Sequence, residues 1–495
     1  MPLNEPLTAR MLRLLNNKVV LFVLSRYFSY VIQFVNSLVV AYVLGPYYLG
    51  IWGFVLLVIQ YLNFGNFGID IALNVNLSTG DLADRKKQSA IASNAVLATL
   101  FTCLIYVLAA AAIPLAGVEL FPKYGFTPFL VPVLIITCLN YFNVLFLNIC
   151  RTYSLFAPIS IFQTLLQAIQ LPVMFIFRDI ELVWALLAAM VIAHGVSGII
   201  YLRYLPFKLQ LALDKTIVKQ LFGRGIRLLS YAVTFYILLL STRSMVGYFY
   251  PVEVMGLFTF AANIAAALIV GLSSLEFVLF PKMINRLSAD ELSESMLGTF
   301  RDVRFIYMAS AFLVVTCGLL FYPVILYFFK DYAATTRVFA FLALSQIILS
   351  SGFGYSTLII SRQKEIYLII HGLVALVINL AFSVFCRLVF GIGYETMALL
   401  LLLAFAWYDY HVIKLGRQLL RLPGGFMNIA RDLVPLRSIP ALVMIALALV
   451  TGMNTLFYAL AVLAFVIFNA KNYKVVKQYV QTLFHRPTVI NIQQE

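Results

Sequence analysis

LGPYYLGIWGFVLLVIQYLNFGNFGID, residues Leu44 to Asp70, is the stretch from which the rest of the chain is read. It starts at a Gly45-Pro46 turn, runs through Leu, Val, Ile and aromatic residues long enough to cross a bilayer, and ends in glycines, asparagines and a carboxylate at membrane depth. Shifting the numbering by 206 produces a weak second copy: Gly50 falls on Gly256, Phe54 on Phe260, Gly65 on Gly271 and Asp70 on Glu276. A turn proline recurs one residue off register, Pro46 against Pro251. An acid at the same place in two hydrophobic halves marks a duplicated membrane bundle.

Composition agrees. The 495 residues are 63% hydrophobic and 11% charged, with a mean hydropathy of +0.97. A soluble domain carries about 25% charged residues, so this chain has too little polar surface to cover a soluble globule. Its five cysteines lie in apolar runs at spacings unlike a metal motif, and its four histidines are scattered, so neither a disulfide framework nor a zinc site is indicated. There is no Walker A sequence to suggest direct use of ATP.

A hydrocarbon core about 30 Å thick takes about 20 apolar residues per crossing. On that ruler the sequence predicts an all-α polytopic membrane protein of about 14 spans, the last two (438–453 and 455–470) short. The opening run from Val19 to Leu44 is too long for a signal-peptide core and counts as the first span. The expected layout is a six-helix lobe over 1–204, an amphipathic linker at 205–226 and a second six-helix lobe over 227–415. A terminal region, 416–495, holds a further linker, the last two spans and a tail. In the first linker Ile217, Val218, Leu221 and Phe222 oppose Lys215 and Lys219, the pattern of a helix lying in the membrane interface.

Orientation follows from basic residues, which accumulate in cytoplasmic loops. Of the 35 lysines and arginines, one alternate set of loops holds only Lys123, Arg178, Lys330 and Arg337. Both termini are therefore expected in the cytoplasm, and the net charge of +15 is a topology signal, since no contiguous basic surface is present for nucleic acid.

Ionisable groups inside spans are costly, about 2.5–3.5 kcal/mol each at a helix centre, and tend to serve a pathway or a pair. Here they are Arg26, Arg243, Asp70, Glu276 and Asp409; Gln33, Asn36, Gln60 and Asn63 add a polar stripe. Arg26 and Arg243 suit a phosphate-bearing substrate, because the planar guanidinium matches phosphate oxygens and stays charged at any depth. Snorkelling to the nearer interface, or for Arg26 pairing with Asp70, are the alternatives. Asp70 and Glu276 are candidates for ion or proton coupling and gating, against a structural pair or a hydrated position near the headgroups.

The runs VAYVLGPYYLGIWGF (40–54), NFGNFGIDIAL (63–73) and STGDLADRKK (78–87) resemble the polysaccharide-biosynthesis branch of the multidrug/oligosaccharidyl-lipid/polysaccharide exporter superfamily. The likeness is sharp over about residues 25–90. Where family members often carry Asp-Phe-Gly, this chain has Asn66-Phe67-Gly68. The resemblance implies two pseudo-symmetric six-helix lobes around a central cavity that opens alternately to each side of a bacterial inner membrane. The implied activity is flipping a polyprenyl-pyrophosphate-linked oligosaccharide, such as an O-antigen repeat unit, rather than enzymatic catalysis. Substrate contacts are then expected at Arg26, Arg243, Gln33 and Asn63. No cofactor is implied beyond a coupling ion, Na+ or H+; implied partners are the glycan lipid, membrane lipids, a polysaccharide polymerase and a chain-length regulator. A cation-coupled multidrug exporter would share the fold but favour acids in its cavity. A membrane polymerase would need a larger extramembrane loop than any here.

Overall fold

The structure, a computed structural model, describes residues 18–79, 84–210, 212–287, 294–452 and 454–470. Among these every regular element is a helix. The chain divides into two compact units, Met1–Val233 with Pro251–Gly256, and Thr234–Tyr250 with Leu257–Glu495.

The first unit opens with α1, Lys18–Leu62. Gly45 interrupts it with φ 63°, a left-handed angle that glycine takes without a Cβ clash, and Pro46 restarts the helix beyond. The apolar part, Tyr27–Asn66, is 40 residues long. At 1.5 Å per residue that is about 60 Å of helix, enough for two crossings. There follow α2 (Ile69–Thr79), α3 (Arg85–Leu115), α4 (Leu130–Thr152), α5 (Phe156–Ile176) and α6 (Asp179–Tyr204). On α3, Leu100, Phe101, Leu104, Ile105 and Leu108 recur at helical spacing and are all about half exposed or more. In water such a face would be an aggregation hazard; against acyl chains it costs nothing.

Within the unit a polar seam joins α1 to α5. Ser25 Oγ meets Ser160 Oγ at 2.9 Å and Ser29 Oγ meets Thr164 Oγ1 at 3.0 Å. Further along, Asn36 Nδ2 donates to the Gln167 carbonyl at 2.9 Å and to its Oε1 at 3.2 Å. Small hydroxyl residues let membrane helices approach closely, and such bonds replace the hydrophobic drive that lipid removes.

α7 (Lys215–Phe249) begins with the amphipathic stretch, Lys215–Ser230. Leu221 is fully buried in the first unit's core with Ile69, Leu73 and Tyr201, and Ile217, Val218 and Phe222 pack against the same cluster. The apolar face expected from the spacing is thus seated on protein.

The second unit contains most of α8 (Val252–Leu287), then α9 (Glu294–Phe328), α10 (Thr336–Ser351), α11 (Tyr355–Ser361), α12 (Glu365–Phe390) and α13 (Tyr394–Leu419). It ends with α14 (Phe426–Leu433), α15 (Ile439–Val450) and α16 (Thr455–Asn469). α10 packs on α9 and α13, and α16 on α9 and α15. Ten described helices are long and apolar enough to cross a membrane, or up to 12 if each of two bent pairs is one span; α16 is apolar but shorter. Length and composition therefore return fewer than the expected fourteen, because α1 holds two crossings in one helix and the last helices are short.

The duplication is visible in side chains. Phe54 stacks on Tyr124 at 4.0 Å between centroids in the first unit, and Phe260 stacks on Tyr332 at 4.2 Å in the second. The start of the second copy, Val252 to Gly256, belongs to the first unit and packs against its own counterpart. A Cβ on Gly50 would run into the carbonyl of Val252, and a Cβ on Gly256 into that of Pro46. With the shift of 206, Val252 is the image of Pro46 and Gly256 the image of Gly50. Within the first unit, residue and image exchange partners.

Candidate functional site

The first unit's candidate site is the place where its second span breaks. After Leu62 the chain makes one 3₁₀ turn, Asn63–Asn66. Phe67 and Gly68 then take left-handed angles of 50° and 71°, and α2 starts at Ile69. The sequence NFGNFG supplies what such a break needs, since glycine accepts positive φ and short amides bond locally instead of extending a helix.

A break at membrane depth frees main-chain groups that lipid cannot satisfy. Neighbouring helices of the same unit satisfy them here. Tyr141 Oη donates to the Leu62 carbonyl, and Tyr106 Oη to the Gly65 carbonyl at 3.3 Å. Asn148 Nδ2 donates to the Asp70 carbonyl at 3.1 Å. Side chains join in: Asn140 Nδ2 donates to Asn63 Oδ1 at 3.1 Å, and Thr99 Oγ1 to Asn66 Oδ1 at 3.2 Å. From α7, Gly225 lies against Phe67 and Gly68 so closely that a Cβ on either glycine would clash with main chain. Arg224 Nη1 donates to Asn76 Oδ1 of α2.

Of the residues singled out from sequence, Asn63 lies half-buried in the break and Gln33 is exposed on α1, as is Gln60. Asp70 is half-buried in the first turn of α2, where unpaired N–H groups and the positive end of the helix dipole favour a carboxylate. Arg243 is in the second unit, buried to 8% exposure, with Nη2 donating to Thr259 Oγ1 at 3.2 Å. The side chains of Arg26 and Glu276 lie outside the described residues. The break thus gathers Asn63 and Asp70; Gln33 sits on the polar face that includes the buried Asn36, one turn along α1.

Sequence reasoning passed over the residues that complete this face. Gln163, Gln167 and Gln170 recur at helical spacing on α5 and are all half-buried, and Gln167 is the partner of Asn36. That spacing of four and three was legible. Asn140, Asn148 and Thr99 were not, because a single amide or hydroxyl in an apolar run does not say which distant carbonyl it serves.

A second polar cluster lies in the second unit; of its members the sequence reading named Asp409 and not Arg304, Tyr355, Arg417 or Asp432. Arg304 is buried; its Nε donates to the Phe353 carbonyl at 3.0 Å and its Nη2 to the Ser351 carbonyl at 2.9 Å. It thereby holds the interruption between α10 and α11. Its guanidinium lies 3.9 Å from the Tyr355 ring centroid, and Tyr355 Oη donates to Asp432 Oδ2 at 2.6 Å. Arg417 Nη1 bridges to the same carboxylate oxygen at 2.5 Å. Asp409 is buried beside them and accepts from Ser351 Oγ at 3.3 Å. Ser351, Gly352 and Phe353 tie Asp409 and Arg304 into one structural network.

Helical units with broken spans and buried polar seams define a class, the polytopic helical membrane protein, and the comparisons with known proteins agree. The fold matches a multidrug resistance MATE family transporter of the MOP superfamily, in its inward-facing conformation, at TM-score 0.66 and 13% identity over 83% of this chain and 98% of that one. It matches the lipid II flippase MurJ, in its inward closed conformation, at TM-score 0.66 and 13% identity over 92% and 99%. A MOP superfamily transporter from Pyrococcus furiosus follows at TM-score 0.59 and 13% identity over 85% and 98%. No curated protein matches the sequence. Residues 15–286 match the family described as polysaccharide biosynthesis protein, and the chain belongs to that family.

Proposed function

We propose that the protein is a flippase that moves a polyprenyl-pyrophosphate-linked oligosaccharide, an O-antigen repeat unit or a similar surface-glycan precursor, from the inner to the outer leaflet of a bacterial inner membrane. The observation that carries this reading is membership of the polysaccharide biosynthesis family on a fold shared with a lipid II flippase. The geometry lends support. Gln33, Gln60 and Asn63 hold polar groups exposed or half-exposed inside spans, which is tolerable only where they line hydrated protein surface. Such a surface suits sugar hydroxyls.

In this reading Gln33 and Asn63 contact the glycan, and Arg26 and Arg243 the pyrophosphate. Asp70 and Glu276 couple closure to Na+ or H+, since carboxylates brought together repel unless protonated or bridged by a cation. Alternating access is the rocking of lobe 1–204 against lobe 227–415, as in other duplicated transporters. Both termini face the cytoplasm, and a polymerase and a chain-length regulator receive the product.

The test is surface-glycan assembly in a bacterial strain lacking its own repeat-unit flippase, with membrane abundance of the chain measured alongside. The full chain is expected to restore glycan, and Arg26→Gln with Asp70→Asn to leave it lost at normal abundance. A purely structural charge pair would tolerate that double change, so recovered glycan would remove Arg26 as a ligand. Gain of resistance to cationic dyes without glycan would assign the chain to multidrug export.

A further inference from the structure

The second unit has a cavity of about 330 Å³ walled by Arg301, Arg304, Tyr355, Arg417, Pro423 and Asp432. Three guanidinium groups face one carboxylate there, a net charge of +2 on the wall. Each arginine has five N–H donors. Arg304 spends two on carbonyls, and Arg417 spends one on the Pro423 carbonyl at 2.8 Å and one on Asp432. Arg301 is exposed and has no acceptor among the described residues. The cavity is thus a basic cradle with donors to spare, and the anion that a set of guanidinium forks matches best is a phosphate.

Its depth is fixed by the elements that close it. The wall residue Pro423 leads through two glycines into α14, an eight-residue helix. Phe426 and Met427 of α14 are 70% and 59% exposed while Ile429 on the same helix is fully buried. Ile429 anchors the helix to protein, and Phe426 and Met427 are left for another apolar phase. That is the posture of a helix lying in the interface, its free apolar side chains dipped into the acyl boundary. Leu436, in the turn before α15, and Ile439, its first residue, are exposed and continue the apolar surface into the next span. The cavity mouth therefore opens at headgroup level. Its wall residues on α9, and those between Arg417 and Asp432, belong to segments whose basic residues place them among the loops expected on the cytoplasmic side.

We infer that this cavity binds the phosphate of an anionic glycerophospholipid of the cytoplasmic leaflet. Basic pockets between membrane helices on that side recognise acidic headgroups. The bound phosphate would bridge α9, through Arg301 and Arg304, to α13, through Arg417, beside the Arg417–Asp432 ion pair that holds α14. The inference is independent of what the protein transports.

The experiment is native mass spectrometry of the purified full chain, titrated with phosphatidylglycerol against a fixed excess of phosphatidylcholine. The wild type is expected to retain one phosphatidylglycerol preferentially. Arg301→Gln, at an exposed position where folding is not at stake, should weaken retention roughly fivefold, the factor carried by one basic residue at a membrane surface. Arg431→Gln removes another exposed charge, from α14, that does not line the cavity, and should leave retention unchanged. Equal losses in the two variants would reduce the effect to general surface attraction and overturn the site, as would no loss in Arg301→Gln. Displacement of the lipid by inorganic diphosphate at matching concentration would overturn the lipid assignment in favour of a soluble anion.

Discussion

Asn66 shows how the broken span is held at the scale of one residue. It is buried to 3% exposure, and its Oδ1 accepts the Thr99 hydroxyl inside the first unit. The amide supplies an uncharged acceptor, so the bond to α3 is made without a buried carboxylate. Asn66→Leu should cost about 1–3 kcal/mol by stranding a buried donor, and Thr99→Val less. The double variant should be less destabilised than the sum of the two, with a coupling of about 0.6 kcal/mol, the average for side-chain bonds between membrane helices. Denaturant unfolding in detergent measures it, and strict additivity would mean that the two groups do not interact. The sequence announced that something interrupts the helix at Asn63–Gly68. It could not announce Tyr106, Thr99, Asn140 or Asn148, because an orphan carbonyl is satisfied by whatever donor the fold brings, from tens of residues away.

At the scale of elements, the close approach of residues 46–50 to 252–256 depends on two glycines. Gly50→Val or Gly256→Val should destabilise by about 1–3 kcal/mol, the usual cost of overpacking, because the obstructing atoms are main-chain carbonyls that cannot rotate away. Gly223→Ala, on α7 with open space around it, is the control and should be neutral or slightly stabilising through helix propensity. A thermal-shift series in detergent decides it: if all three variants melt together with the wild type, the close approach is not a constraint. The repeat itself was legible in the sequence as a spacing of 206. That residue and image touch one another was not, since periodicity reports similarity and not distance. The seating of α7 is a mixed case. Its apolar stripe of Ile217, Val218, Leu221 and Phe222 was readable, but the same stripe serves a membrane surface or a protein core, and only the fold shows Leu221 buried beside Ile69.

For the whole molecule, the alternation of basic and non-basic loops makes one demand that can be checked without knowing the substrate. Lys86 at the start of α3 and Lys123 beyond its far end are both exposed, and α3 is a single apolar helix of sufficient length. Cysteines substituted at the two positions should label from opposite sides of the membrane, Lys86→Cys from the cytoplasm and Lys123→Cys from outside. Labelling from one side would remove a span and the orientation of every loop after it. Helical class and membrane residence were legible because lipid imposes its own composition and length rules on every span. The span count was less so, since Gly45 folds two crossings into one helix and α15 and α16 are shorter than the ruler expects.

The exchange of partners between Pro46 and Gly256, and between Val252 and Gly50, has a historical meaning. Two identical chains meeting about a two-fold axis can touch only in this reciprocal way, whereas segments that met after becoming unlike would have no reason to. Such reciprocity is what a contact between two copies of one half-length chain would leave behind after duplication and fusion. Each half keeps a stacked ring pair near the same place, Phe54–Tyr124 and Phe260–Tyr332, the second tyrosine two residues off the register of 206. An engineered half-length chain carrying the first unit's version of the crossing would restate that ancestor, with its oligomeric state as the reading.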